Sequence, residues 1–311
     1  LNSAITKLDH LISDAVKLRL ISDVPLGIFL SGGLDSSLIT YYAQKNSAQP
    51  INTFSVKFED ADYDESIYAR QVARHLQTNH HEELVSAQAT LSIIDQLPEI
   101  MDEPLADSSI IPTYWLSKVT RQHVTVALGG DAGDELFFGY QTFKAWRYWR
   151  WLKLSGHVGR WWLRQIVEKL PSRPGYFSPD FKLKRGLRNF DANPYNQHFR
   201  WLSPFAKREL GQLVNFDLND YFNYEQSWPA PSPYEGEGWG EVKYLNQSAQ
   251  LYQKYYLTDD IFTKVDRASM AVSLEARSPF ADFRLFEFVN SLPASYKFKN
   301  GQTKYILKKL A

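Results

Sequence analysis

The sequence contains no cysteine, and it has only two methionines among its 311 residues. The absence of cysteine excludes a disulfide scaffold, a cysteine-ligated zinc site and a cysteine nucleophile within this chain. No stretch approaches the roughly 18 consecutive apolar residues that a membrane-spanning helix needs. The N-terminal segment is amphipathic and carries acidic residues, unlike a secretory signal peptide, so we expect a cytoplasmic protein with no membrane partner.

The chain also lacks net charge, because 35 basic residues balance 35 acidic ones. This balance provides no global attraction for nucleic acid, and we expect no nucleic-acid partner. Hydrophobic residues make up 44% of the chain, which is enough for a sizeable core. The chain does not begin with methionine and ends within a helical pattern, so we interpret it as a fragment of a longer protein.

Strands and helices alternate in the first 130 residues. Apolar spacing predicts helices over 3–20, 36–44, 64–76, 88–101 and 111–121, and strands over 26–30, 51–58, 80–86 and 123–130. This alternation is typical of a doubly wound, parallel α/β sheet. Such sheets bind ligands at the carboxyl ends of their strands, where the strand order reverses.

Beyond residue 140 the composition changes, and we divide the chain into an α/β core (1–140), an insertion of helices and loops (141–245) and a helical part that completes the site (246–311). Tryptophans and basic residues alternate over 143–165. The basic residues are Lys144, Arg147, Arg150, Lys153, Arg160 and Arg164. A single-stranded RNA surface uses such a pattern. We favour a pair of amphipathic helices with the aromatics in the core and the basic residues in water.

The segment "LSGGLDSS" (30–37) places a glycine turn between a predicted strand and a predicted helix. Free N–H groups at the helix start and three serine hydroxyls would face an anion there, which predicts a phosphate site. The segment has neither the lysine of a Walker A loop nor the glycine spacing of a dinucleotide-binding loop. Asp35 would repel phosphate unless it binds Mg²⁺. The alternative is a tight strand–helix connection with no ligand.

A second glycine turn, "GGDAGDELFFGY" (129–140), follows a buried strand in the same way. It contains three carboxylates, those of Asp131, Asp134 and Glu135. An acidic turn is often a solvated loop, but the apolar run that follows indicates that this one is held against the core. Carboxylates at a strand end beside a phosphate cradle suggest metal binding and acid–base chemistry.

These two turns, with "DDIFTKVDRASMAVSLEARSPFAD" (259–282) and "NGQTKYILKK" (300–309), resemble the synthetase domain of the glutamine-hydrolysing asparagine synthetases. The four segments occur in the order found in that family. The resemblance implies a doubly wound parallel sheet of the PP-loop type with additional C-terminal helices. It also implies an enzyme that uses ATP and Mg²⁺ to adenylate a carboxylate, releasing pyrophosphate, before ammonia displaces AMP to form an amide.

The resemblance assigns roles to individual residues. Pyrophosphate is expected on Ser31, Gly32, Gly33, Asp35, Ser36 and Ser37, and adenosine near Leu30, Val56, Gly129 and Gly130. Asp35 and Asp134 are expected to hold Mg²⁺. Asp131 stands where the family has a glutamate that handles the ammonia step. Lys304 stands where the family has a lysine that stabilises charge on the phosphate or the intermediate.

The sequence departs from the family at the expected acceptor site. Asp131 is one methylene shorter than the family's glutamate. Ser108 stands near a position that often carries an arginine for aspartate, and Asp107, Ser108 and Ser109 are our candidates for acceptor binding. Aspartate is the expected acceptor. The alternatives are a sugar acid, as in other amidotransferases, or the internal carboxylate of a cyclase that closes a β-lactam.

The family's glutaminase domain, which uses an N-terminal cysteine, is missing from this sequence. We therefore expect the chain to take free ammonia or to depend on a glutaminase domain that has been cut away from it. The resemblance leaves a homodimer open.

Overall fold

The computed structural model describes most of the chain. The described residues are 1–59, 64–171, 207–215 and 241–311, with positions 183, 184, 186, 187, 190, 197, 200 and 201. Most of the predicted insertion after residue 171 therefore lies outside the described residues, and the division into three parts stays a prediction.

Five parallel strands form one sheet. They are β1 (Leu26–Phe29), β2 (Asn52–Phe58), β3 (Asn79–Val85), β4 (Val126–Leu128) and β5 (Glu275–Arg277), in the order β3-β2-β1-β4-β5. Gly27 of β1 pairs with Asn52 on one side and with Ala127 on the other. The order reverses between β1 and β4. The prediction of a doubly wound parallel sheet is confirmed.

Helices cover the sheet and continue beyond it. They are α1 (Asn2–Arg19), α2 (Leu34–Lys45), α3 (Ser66–Leu76), α4 (Ala87–Ser92), α5 (Leu97–Met101), α6 (Ile110–Arg121), α7 (Gly133–Phe137), α8 (Gln141–Leu154), α9 (Gly156–Glu168), α10 (Lys207–Leu213), α11 (Glu241–Leu251), α12 (Thr263–Met270), α13 (Phe283–Ser291), α14 (Ala294–Lys297) and α15 (Tyr305–Leu310). A π-helix, Tyr252–Phe262, joins α11 to α12. None of the described helices is both long and apolar enough to cross a membrane.

Two stretches differ from the predicted elements. The helix expected over 88–101 is divided into α4, a 3₁₀ turn (Ile94–Gln96) and α5, and Pro98 lies in the first turn of α5. The segment 246–292 was expected to be helical, but it contains β5. This strand has only three residues, two of them charged, so no hydrophobic pattern indicates it, and it forms by pairing with β4.

The largest hydrophobic cluster joins the two ends of the chain. Ile12 of α1 and Ile306 and Leu307 of α15 are fully buried in it, beside residues of α2 and α13. The helical spacing of apolar residues in the N-terminal segment is thus explained by contact with the C-terminal helices. This packing fixes α15 next to the sheet.

The Trp- and Arg-rich segment forms α8 and α9. Trp146 and Trp149 are buried in a second cluster, as predicted for amphipathic helices. The prediction is wrong for Trp151, Trp161 and Trp162, each more than half exposed. The helical period explains the difference, because a helix this rich in aromatics carries them on more than one face.

Candidate active site at the switch point of the sheet

The two glycine turns open into one cavity of about 550 Å³ at the carboxyl edge of β1 and β4. Most of the predicted site residues line it: Leu30, Ser31, Gly33, Asp35, Ser36, Val56, Gly129, Gly130, Asp131, Asp134 and Lys304. The other five predicted residues, Gly32, Ser37, Asp107, Ser108 and Ser109, lie outside its wall. The cavity occupies the position where doubly wound sheets bind their ligands.

The turn after β1 is shaped by its side chains. Gly32 has φ +79°, and a Cβ there would come within 2.5 Å of the backbone of Tyr68 and Ala69. The Ser31 N–H donates to Ser36 Oγ (3.3 Å), and the Gly33 N–H donates to Ser31 Oγ (3.2 Å). The first turn of α2 follows directly, and its first three backbone N–H groups have no acceptor among the described residues. This arrangement suits a phosphate group.

The turn after β4 leads into α7, a helix of a single turn. Residues in left-handed conformation stand on both sides of it, Ala132 with φ +71° and Phe138 with φ +56°. Such backbone is strained in a residue with a side chain, and strained residues concentrate at functional sites. The Ser278 hydroxyl donates to the backbone oxygen of Asp131 (2.8 Å), which fixes the turn against the segment after β5.

Lys304 connects the two turns. Its Nζ is bonded to Asp35 Oδ2 and lies 2.7 Å from Asp134 Oδ1. Burial lowers the pKa of Lys304, but Asp35 and Asp134 raise it further, so the side chain stays cationic. Burial raises the pKa of Asp35, and the Lys304 charge opposes that rise.

The carboxylates of Asp35 and Asp134 fit a bound Mg²⁺. Asp35 Oδ1 is buried and has no hydrogen-bond partner among the described residues. Gly133 leaves room for the Asp35 carboxylate, since a Cβ at Gly133 would lie 2.6 Å from its Cγ. A Cβ at Gly139 would collide with Asp134 and Lys304. Two carboxylates with an unpartnered oxygen are hard ligands of the kind that Mg²⁺ prefers.

Two further carboxyl groups belong to the same wall, the partly buried Asp131 and the fully buried Glu135. Burial raises the pKa of Asp131, and the positive charge of Lys264 partly offsets this. Burial also raises the pKa of Glu135, to about 7, and the Tyr140 hydroxyl donates to its Oε1. The Glu135–Tyr140 pair was not predicted, although both residues stand in the motif at 129–140. The sequence feature that could have predicted this pair is the apolar run around the two residues, which buries them together.

The three acceptor candidates have different environments. Asp107 accepts hydrogen bonds from Lys264 Nζ at 2.8 Å and from the Ser109 N–H at 2.9 Å. The Ser108 side chain is exposed. Lys264, which lines the cavity, was missed by the sequence reasoning. Its position one helical turn before the buried Ala268 indicates that it faces inward.

The fold and the site define an α/β protein with a cleft at the switch point of its sheet, lined by two glycine turns. The family model for asparagine synthase matches residues 7–311, and the chain belongs to that family. The resemblance seen in the sequence is confirmed.

Several relatives match most of the chain. Asparagine synthetase (glutamine-hydrolyzing) 1 of Bacillus subtilis is 31% identical over 96% of the chain and 45% of its own length. Putative asparagine synthetase (glutamine-hydrolyzing) 2 of Methanocaldococcus jannaschii is 44% identical over 84% of the chain and 48% of its length. A Penicillium rubens protein named amidase chyE is 26% identical over 95% of the chain and 48% of its length. The chain spans about half the length of these relatives.

Proposed function

We propose that this chain is the synthetase part of an ATP-dependent, amide-forming ligase. A substrate carboxylate attacks the α-phosphorus of ATP, which gives an acyl-adenylate and pyrophosphate. Ammonia then attacks the acyl carbon, AMP leaves, and the nitrogen loses a proton. Aspartate is the proposed acceptor and asparagine the proposed product.

One observation carries this proposal: Lys304, Asp35 and Asp134 meet at the mouth of an anion cradle. A cradle alone suits any phosphate ligand. A cradle with a largely buried cation, and with two carboxylates that fit Mg²⁺, suits a polyphosphate, because the cation and the metal would both stabilise its negative charge. The membership in the asparagine synthase family supports the same reaction class.

Each residue has a role in this reaction. The backbone around Ser31 and Gly33 holds the pyrophosphate, and Leu30 and Val56 border the adenosine. Asp35 and Asp134 would hold Mg²⁺, which neutralises phosphate charge when it is bound. Lys304 stabilises negative charge near the α-phosphate.

The second half-reaction needs a proton acceptor, because the attacking ammonia becomes a cation. Asp131 is partly buried in the cavity wall, and its raised pKa makes it a better base than an exposed carboxylate. Its side chain is shorter than a glutamate. We propose that it takes the proton.

The test is ATP–pyrophosphate exchange with Mg²⁺ and a panel of carboxylates. We expect exchange that depends on aspartate, and a loss of about 100-fold or more in Lys304→Met, because a buried charge that stabilises the transition state is removed. Lys308→Met is the matched control, since Lys308 lies exposed on the same helix.

The outcomes separate the alternatives. Exchange with a sugar acid or another carboxylate alone would keep the adenylation chemistry and replace aspartate as the acceptor. A wild-type chain that binds no ATP by calorimetry and shows no exchange with any carboxylate would overturn the proposed function.

A further inference from the structure

Two cations belong to the described wall of the cavity, and they lie in different surroundings. Lys304 is held between Asp35 and Asp134. Lys264, on α12, forms an ion pair with Asp107, and its charge also acts on Asp131 and Asp260. Its side chain is about 10% exposed, so its charge is largely removed from water. Lysine is rarely buried to this degree without partners that satisfy it.

Lys264 has hydrogen-bonding capacity to spare. An ammonium group has three N–H donors, and Asp107 Oδ2 takes one of them at 2.8 Å. The Lys264 ammonium makes no other hydrogen bond within the described part of the chain. Buried donors without acceptors cost free energy, and an anionic ligand in the cavity would remove that cost.

Asp107 fixes the position of Lys264. It also accepts the Ser109 N–H at the start of α6, which anchors the pair between α6 and α12. Thr113 of α6 and Val265 of α12 line the cavity on either side of this pair. The Lys264 charge also influences Asp131, where the ammonia step is proposed. Lys264 therefore stands close to the acyl end of the site.

We propose that Lys264 is a specificity-determining residue that binds the second, non-reacting carboxylate of a dicarboxylic acceptor. This inference rests on the proposed function. It explains how an acceptor carboxylate can be bound although Ser108 stands where an arginine is expected. The cation for the acceptor is Lys264 of α12, and not a residue at the start of α6. Lys304 cannot serve in this way, because its donors face the carboxylates of the metal site. Asp107 is the positioning residue for Lys264.

The simplest alternative is that Lys264 is only the structural counter-ion of Asp107. The two ideas differ in which substrates respond to its removal. Three probes separate them: aspartate and succinate have two carboxylates, whereas 3-aminopropanoate has one. A charge-assisted hydrogen bond to the second carboxylate affects only the first two probes.

The experiment compares wild type with Lys264→Met, Lys264→Arg and the double variant Lys264→Met/Asp107→Asn. The double variant removes both charges, so no buried carboxylate is left unpaired. Lys254→Met, an exposed lysine on the π-helix before α12, is the matched control. The readouts are the KM of each probe in pyrophosphate exchange, the KM of ATP, and calorimetric binding of succinate, which needs no reaction.

We expect Lys264→Met and the double variant to raise the KM of aspartate and succinate by about 10- to 100-fold. The KM values of ATP and 3-aminopropanoate stay unchanged, and Lys264→Arg keeps most of the affinity. Equal effects on all three probes, or none on the dicarboxylates, overturn the inference and leave the proposed function standing. If succinate binding requires Lys264 but the wild-type chain shows no pyrophosphate exchange, the result supports the inference and overturns the proposed adenylation. A wild-type chain that shows neither succinate binding nor pyrophosphate exchange overturns both the inference and the proposed function.

Discussion

Glu135 is a buried carboxyl group whose ionisation opposes folding. Burial raises its pKa from 4.5 to about 7, although the Tyr140 hydroxyl donates to it. Below pH 4.5 the group is protonated in both the folded and unfolded states. Between pH 4.5 and 7 the unfolded chain loses this proton first, so the free energy of unfolding falls as the pH rises. The total effect above pH 7 is about 3 kcal/mol.

The substitution Glu135→Gln should remove this pH dependence while keeping an acceptor for Tyr140. We expect the variant to gain about 3 kcal/mol of unfolding free energy relative to wild type between pH 4.5 and pH 8. Urea denaturation at several pH values measures this difference. Glu168→Gln, at an exposed position on α9, serves as the control. Parallel pH profiles for wild type and Glu135→Gln would contradict the assignment.

At the scale of elements, the helix that positions Asp134 beside Lys304 is α7. Asp134 lies in its first turn, and Gly139 follows its end. The added methyl group of Gly139→Ala would overlap Asp134 and Lys304. We expect pyrophosphate exchange to fall at least about 10-fold, because a shift of an ångström between catalytic groups is costly.

Gly186→Ala is the control for this substitution, since a Cβ at Gly186 meets no atom of the described residues within 4 Å. Circular dichroism should show both variants folded. If Gly139→Ala retained wild-type exchange, the contact between α7 and Lys304 would have no role in the reaction.

The sequence predicts those parts of the site that depend on local patterns, and it fails for those that depend on distant partners. Asp35 and Asp134 both follow buried strands, and parallel strands bring their carboxyl ends to one edge of the sheet. Local patterns were therefore sufficient to predict that these two residues lie close together. Lys264 and β5 depend on partners distant in the chain. Lys264 is paired across 157 positions with Asp107, and β5 pairs with β4. No local pattern indicates such a partner, and a lysine in a helix usually faces water.

At the scale of the whole molecule, the core brings the two ends of the chain into one site. The fully buried Ile12 of α1 and Ile306 of α15 share one cluster. Their packing holds Lys304 against Asp35, which lies 269 positions earlier in the chain. The site thus depends on the complete fold of the described chain, although each glycine turn is local.

A prediction about the nitrogen source also belongs to this scale, because the 311 residues contain no cysteine. The glutaminase route that the resemblance implies uses a cysteine nucleophile, so we predict that these residues use ammonia and not glutamine. We expect amide formation from aspartate, ATP and ammonium chloride, and none above background with glutamine. The rate should rise with pH, since unprotonated ammonia is the nucleophile. Chromatography of the amide product measures both rates, and Lys304→Met gives the background. Product formation from ammonia-free glutamine at the rate seen with ammonium would show that the chain contains a glutaminase of another kind.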